Sequence, residues 1–245
     1  MIDRGKIQVF PTATALYHGA AAYWVRIAQV AIEEAGAFHV ALAGGNTPKG
    51  LYQLLAKEPY KSQVDWSRVY VYFGDERYVP KDHPDSNYRM ARETLLDAVA
   101  IPPKQILRVR TELPDPQSTA ADYAQVLQSH LPAGRNFDLI LLGVGTDGHT
   151  ASLFPETSIL TVRDRLVAAV YVEKLGGWRI SMTYPAIERA QRLLFLVTGV
   201  NKAPVVSRLL TETKSNGFPV QRLRAQGEVH WYLDGDAARE WEMSK

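Results

Sequence analysis

Short apolar runs alternate with stretches of helical periodicity along the whole chain. The runs at 7–10, 38–43, 69–73, 106–109, 137–144, 166–172, 178–183, 193–198 and 229–233 are rich in Val, Ile, Leu, Phe and Tyr and predict strands. Several of them, such as ILLGV and LLFLVT, lack polar alternation. Strands apolar on both faces belong to a mostly parallel sheet covered on both sides. Segments 14–34, 48–56, 88–98, 120–129 and 203–210 predict helices between them. Such alternation implies an α/β sandwich, a mostly parallel sheet with helices on both faces. The stretches PKDHPDS and ELPDPQS read as surface loops. No repeat, low-complexity tract or linker interrupts the pattern, so residues 1–245 are expected to form a single domain.

Composition narrows this only a little. Lys and Arg number 28 against 26 Asp and Glu, a net of +2, so nothing forces a nucleic-acid partner. The absence of Cys removes disulfides, thiolate catalysis and Cys-ligated metals. Asp3, Arg4 and Lys6 stand where a secretory signal needs an apolar core. The purest apolar run, 139–144, is far too short to span a bilayer. A soluble cytoplasmic protein is expected, with no membrane partner. Its oligomeric state is not legible.

In open α/β sheets, ligands bind beyond the C-terminal ends of strands, and four strand ends carry unusual chemistry. Gly44-Gly45-Asn46-Thr47-Pro48-Lys49 follows the second strand. Its glycines allow close backbone approach, and the helix start that follows is suited to an anion. An ordinary capped strand-to-helix turn explains the same residues. Gly74-Asp75-Glu76-Arg77 follows the third strand, and an Arg fork suits phosphate or carboxylate. The alternative is a solvated turn whose charges pair with each other. Just beyond, Asp85-Ser86-Asn87 reads as a structural cap for a helix starting near Tyr88.

Gly143-Val144-Gly145-Thr146-Asp147-Gly148-His149-Thr150 ends the fifth run. Gly143, Gly145 and Gly148 fit the dinucleotide pattern, but that pattern needs a full helix after its third glycine. Here Pro155 arrives seven residues later. A glycine loop presenting His149 fits better, with a core or capping histidine as the alternative. Finally, Lys202 after Gly199-Val200-Asn201 opens a helix, where a cation opposes the dipole unless an anion binds there. An exposed Lys that tolerates its site explains it as well. Arg179 starts the strand-like RISMT.

No nucleophile elbow, phosphate-binding P-loop or H-E-x-x-H occurs. His18, His39, His83, His130 and His230 show no metal-ligand spacing. Trp24, Trp66 and Trp231 look like core or interface rather than a base-stacking platform. Several cations, one His and one carboxylate at strand ends suit a small phosphorylated molecule and proton-transfer chemistry. The residues alone do not name the substrate.

The segments AGGNTPKGLYQLLA, FGDERYVPKDHPDSNYRMARETLL, GVGTDGHTASLFPET, RISMTYPAIERA and LLFLVTGVNKA together resemble the 6-phosphogluconolactonase family, in order and spacing, over residues 40–202. The ending HWYLDGDAA is similar too. Glucosamine-6-phosphate deaminases share the fold. They lack the arginine of GDER and continue the His loop into FNEP, whereas this chain reads ASLFP.

The resemblance implies a Rossmann-like three-layer sandwich. It also implies hydrolysis of 6-phospho-D-glucono-1,5-lactone to 6-phosphogluconate, the second step of the oxidative pentose phosphate pathway, without metal or organic cofactor. Under that reading His149 is the general base, with Asp75 orienting or electrostatically supporting it. Gly44, Gly45, Asn46, Thr47, Gly145, Asp147 and Gly148 approach the substrate, the loop N–H groups and Asn46 facing the oxyanion. Arg77, Arg179 and Lys202 hold the phosphate. Ser152 is a conceivable nucleophile but lacks an elbow turn. The rival readings are the deaminase and a non-catalytic sugar-phosphate sensor. A sensor would usually carry a DNA-binding extension, for which a first strand beginning by Ile7 leaves little room, and would not need His149.

Overall fold

A computed structural model describes residues 5–131, 136–211 and 217–244. Its strands are β1 (Lys6–Phe10), β2 (Phe38–Leu42), β3 (Val69–Phe73), β4 (Asp75–Arg77), β5 (Leu139–Leu142), β6 (Val167–Val172), β7 (Gly177–Met182), β8 (Arg192–Val197) and β9 (Glu228–Asp234). Its α-helices are α1 (Ala13–Ala35), α2 (Asn46–Leu55), α3 (Asn87–Ala91), α4 (Pro116–His130), α5 (Tyr184–Glu188), α6 (Ala203–Thr211) and α7 (Gly235–Met243).

Six strands form a wholly parallel sheet in the order β1-β9-β8-β5-β2-β3. Alternate side chains of its central strands enter opposite layers. Val40, Leu42, Leu139, Leu141, Leu194 and Leu196 pack with α1, α2 and α3. Ala41, Ile140, Leu142, Leu193, Phe195 and Val197 pack with α4, α5, α6 and α7. That two-sided burial is why these strands carry no polar alternation. Helix α1 buries the stripe Leu16, Ala20, Trp24, Ile27, Ala28 and Ala31, at helical spacing. Thr12 caps its start by accepting from Ala15 N–H, and Gly36 ends it at φ 79°. The expected α/β sandwich is present, and among the described residues no helix is long and apolar enough to cross a membrane.

A second, three-stranded antiparallel sheet in the order β4-β7-β6 lies in the α4 layer. The sequence gives little sign of it, because β4 is three residues long and charged throughout. Gly74 joins the two sheets. Its N–H donates to Leu42 O and its own carbonyl accepts from Met182 N, each at 2.9 Å. Other differences are local. Segment 106–109 makes only a bridge from Ile106 to Val71, with Leu107 N donating to Val71 O at 2.8 Å. The expected helix 88–98 is α-helical to Ala91, then becomes a π-turn over Arg92–Leu96. Helices α5 and α7 were not apparent from periodicity, being short or mostly polar.

Strand β4 alternates sharply. Asp75 and Arg77 face one side and Glu76, 2% exposed, faces the other. Glu76 is no solvated turn residue. Its Oε1 accepts from Arg77 N and Asn87 N, and its Oε2 from Tyr88 N and Ser86 Oγ, at 2.7–3.1 Å. Burial pushes its pKa up, and the three backbone donors pull it back. Ser86 in turn caps α3 by accepting from Arg89 N, as the sequence suggested. Glu76→Gln should therefore destabilise the fold by about 2–3 kcal/mol, since the new amide NH₂ must face a buried donor. Urea denaturation reads this directly, and a change within about 0.5 kcal/mol would show that the carboxylate does not anchor this turn.

Candidate active site

Strand ends are level across the sheet, with Leu42 beside Phe73 and Leu142 beside Phe195. The chain moves outward from β2 to β3, but from β5 to β8 and β9 in the opposite direction. Loops leaving β2 and β5 therefore diverge, and a crevice opens between them at the topological switch point. It holds a cavity of about 640 Å³. Gly44, Gly45, Asn46, Thr47, Asp75, Arg77, Gly145, His149, Arg179 and Lys202 all line it. Residues as far apart in the chain as Gly44 and Lys202 thus share one wall.

The cationic side is built by the small sheet. Arg77 on β4 lies directly opposite Arg179 on β7 in the antiparallel register. Like charges in that position repel. Arg77 Nη1 donates to Asp85 O at 2.6 Å, and among the described residues Arg179 makes only a 3.3 Å contact with Trp178 O. Burial and then Arg77 hold the Arg179 guanidinium below its ordinary pKa. Burial likewise lowers the pKa of Lys202, which sits in the turn Val200–Lys202 just before α6. Gly199 N donates to both carboxylate oxygens of buried Asp234, at 3.0 and 3.1 Å, and Asp234 also caps α7 through Ala237 N. Three poorly compensated cations around one cavity can accept an anion with several oxygens.

On the facing side His149 Nδ1 lies 2.5 Å from Asp147 Oδ1. An ionised carboxylate only accepts, so Nδ1 carries the proton and Nε2 is the basic nitrogen. Nε2 has no protein partner among the described residues. The ring lies against Phe154, centroids 4.0 Å apart. Burial lowers its pKa to about 4; Asp75 works against this, while Lys202, Arg179 and Arg77 add to it. The site thus holds a neutral imidazole in a strongly positive setting. Gly145 has no side chain because a Cβ there would lie 2.0 Å from His149 Nδ1 and 2.6 Å from Asp147 Oδ1. Ala151, at φ 47°, takes a left-handed turn that costs about 1–2 kcal/mol. It lies between His149 and Ser152, which both line the cavity.

Of the two roles expected of Asp75 the geometry keeps the electrostatic one, and Asp147 sits elsewhere than expected. Asp75 does not bond the ring: its Oδ2 accepts from Ser152 Oγ at 2.6 Å, and its Oδ1 from Asn87 Nδ2 at 3.3 Å. The orienting contact belongs to Asp147, two residues from the ring it holds. Asp147 and Gly148 do not line the cavity; Gly148 O instead accepts from Val220 N at 3.1 Å. Ser152 is 1% exposed, and its hydroxyl is committed to Asp75 rather than to a histidine.

Some lining residues had been read only as structure or not at all. Asn87, assigned above to a helix cap, also donates to Asp75 O at 2.9 Å and packs so tightly on Gly44 that a Cβ there would meet its Oδ1 at 2.0 Å. Thr198 Oγ1 lies 2.6 Å from Thr47 Oγ1 and links two of the loops. A reading of LLFLVT to its last residue would have reached Thr198; nothing local marks Asn87. Among the described residues, no group of three or more His, Asp or Glu is placed to hold a metal ion.

Residues 11–231 match the family model of glucosamine-6-phosphate isomerases and 6-phosphogluconolactonases. The chain belongs to this family. It is 40% identical over 239 residues to a 6-phosphogluconolactonase of Nostoc, covering 96% of this chain and 97% of that one. It is 45% identical over 215 residues to a 6-phosphogluconolactonase of Synechocystis, covering 84% and 86%. A solved 6-phosphogluconolactonase of Trypanosoma brucei superposes with a TM-score of 0.86 at 31% identity, covering 96% of this chain and 98% of that one.

In this family member, the paired arginines make a direct prediction. Arg179→Gln should weaken binding of inorganic phosphate about tenfold to a hundredfold, as loss of a charged hydrogen bond does, when titrated by calorimetry. Equal affinity in the variant would mean that the anion is not held between Arg77 and Arg179.

Proposed function

We propose that this protein hydrolyses the ring ester of 6-phospho-D-glucono-1,5-lactone, giving 6-phosphogluconate, with His149 as the general base. The observation that carries the mechanism is a neutral imidazole with Nδ1 held by Asp147 and Nε2 without a partner among the described residues, in a cavity bearing three cations. Arg77, Arg179 and Lys202 bind the 6-phosphate. Nε2 takes a proton from water as its oxygen attacks the lactone carbonyl. The imidazolium formed keeps its Nδ1–H on Asp147. Backbone N–H groups of the Gly44–Gly45 turn and the Asn46 side chain face the developing oxyanion. On collapse the ring oxygen leaves and recovers the proton from His149, which restores the neutral base. Asp75, held by Ser152 and Asn87, supports the positive ring electrostatically and does not touch it. We place the reaction in the cytoplasm.

A base with a pKa of about 4 is weak at neutral pH, and general bases work best near the ambient pH. Burial is the larger cause of that depression and persists when substrate binds; the three cations that add to it are those the phosphate neutralises, so their part is relieved and the pKa of His149 rises. In the free enzyme the active form is neutral imidazole, so kcat/KM should fall as pH drops through about 4. The acid limb of kcat should lie higher, because it reports the substrate complex. Limbs at the same pH would remove the phosphate's part in tuning the base.

Loss of 6-phosphogluconolactone above its spontaneous rate, followed with the lactone generated in situ, tests the activity. His149→Ala should lower kcat by about 10²–10⁴-fold with KM little changed. A tenfold rise in KM at constant kcat would assign His149 to binding instead. Ammonia released from glucosamine 6-phosphate would replace the lactonase reading with that of a deaminase.

A further inference from the structure

Asp147 has a second partner. Its Oδ2 accepts from Lys174, which lies in the turn Glu173–Leu175 between β6 and β7. Lys174 Nζ also lies 4.7 Å from the centroid of the Phe154 ring, the ring on which His149 rests. Lys174 thus closes on Asp147, His149 and Phe154 of the loop after β5 from a separate segment of the chain. Lys174 does not line the cavity, although its neighbour Leu175 does. It takes no part in the phosphate cluster described above. The ammonium is half exposed, whereas the carboxylate is about three-quarters buried. Ion pairs of such exposure add little to stability, so this one matters through what Asp147 presents to the ring.

We infer that Lys174 is a positioning residue for the reaction: it holds the Asp147 carboxylate in line with His149 Nδ1 and mutes the negative charge which that carboxylate turns toward the imidazole. The inference rests on His149 being the base. Its physical content is a balance of charges around one ring. Asp147 bonds it from its own loop, and Asp75 faces it from β4. Arg77 on β4, Arg179 on β7 and Lys202 before α6 oppose a positive ring. Lys174 acts in the same sense as those three, but through Asp147 rather than across the cavity. A carboxylate freed of its cation would stabilise the imidazolium more strongly and leave a larger share of the enzyme protonated in mild acid.

Lys174→Met tests this, because Met keeps an unbranched side chain of similar length and removes the ammonium that reaches Asp147 and the Phe154 ring. The ring of His149 is followed by NMR in protein labelled at the histidine nitrogens, its signal assigned by its absence in His149→Gln. In parallel, kcat/KM is measured against pH. In Lys174→Met the titration of the ring should move up by about one pH unit, and the acid limb of kcat/KM should move with it. KM should stay close to that of the unaltered protein, since the phosphate cations are untouched. Lys174→Arg should restore both midpoints. In an Asp147→Asn background, Lys174→Met should produce no further shift. An unmoved ring titration in Lys174→Met would overturn the inference, whatever His149→Ala does to kcat. A ring that titrates higher while the acid limb stays in place would uphold the Lys174 coupling and overturn His149 as the base.

Discussion

Gly74 serves two sheets at once, and the site depends on that double duty. Its N–H closes the main sheet against Leu42, and its carbonyl opens the small sheet against Met182. The chain therefore leaves the parallel sheet and enters the antiparallel one without an intervening loop. Period-2 alternation then decides the rest. Asp75 and Arg77 turn toward the crevice, and Glu76 turns away to gather the N–H groups that start α3. Pairing of β4 with β7 sets Arg179 opposite Arg77. Had the chain turned one residue earlier or later, the buried carboxylate and the site groups would have exchanged faces.

The site is assembled against its own electrostatics. Arg77 and Arg179 face each other, Lys202 and Arg179 are held below their ordinary pKa values by burial, and the imidazole is pressed toward neutrality. Each of these features costs stability in the free protein. They persist because neighbours over-determine them: Asp234 fixes the turn carrying Lys202, Asp85 O receives Arg77, and Asp147 grips His149. An anionic ligand would relieve several at once. A site without such a ligand stays poised rather than relaxed, which is how preorganised electrostatic sites work.

Much of this was legible before the structure. The doubly apolar runs announced a covered parallel sheet, and glycine, His and Arg clusters at their ends marked the loops that line one cavity. His149, Arg77, Arg179, Lys202 and the Gly44–Thr47 turn do meet in one cavity. The partner of the ring was less legible. Asp75 and Asp147 are both acidic and both near glycine turns, and spacing cannot say which carboxylate points at Nδ1. Lys174 and Asn87 were invisible as site residues, because each reaches the site from a segment whose local pattern is that of an ordinary turn or cap.

The sequence by itself determined the layers, the strands that are buried on both faces, and the chemistry at each strand end. Those follow from hydrophobic period and residue type, which act within a few neighbours along the chain. Only the tertiary structure decided which strand end faces which. The crevice exists because strand order reverses between β2 and β5. The cation pair exists because a three-residue charged strand finds β7 rather than solvent. Such pairings depend on contacts between residues about a hundred positions apart, as with Arg77 and Arg179, and local preference carries no record of them.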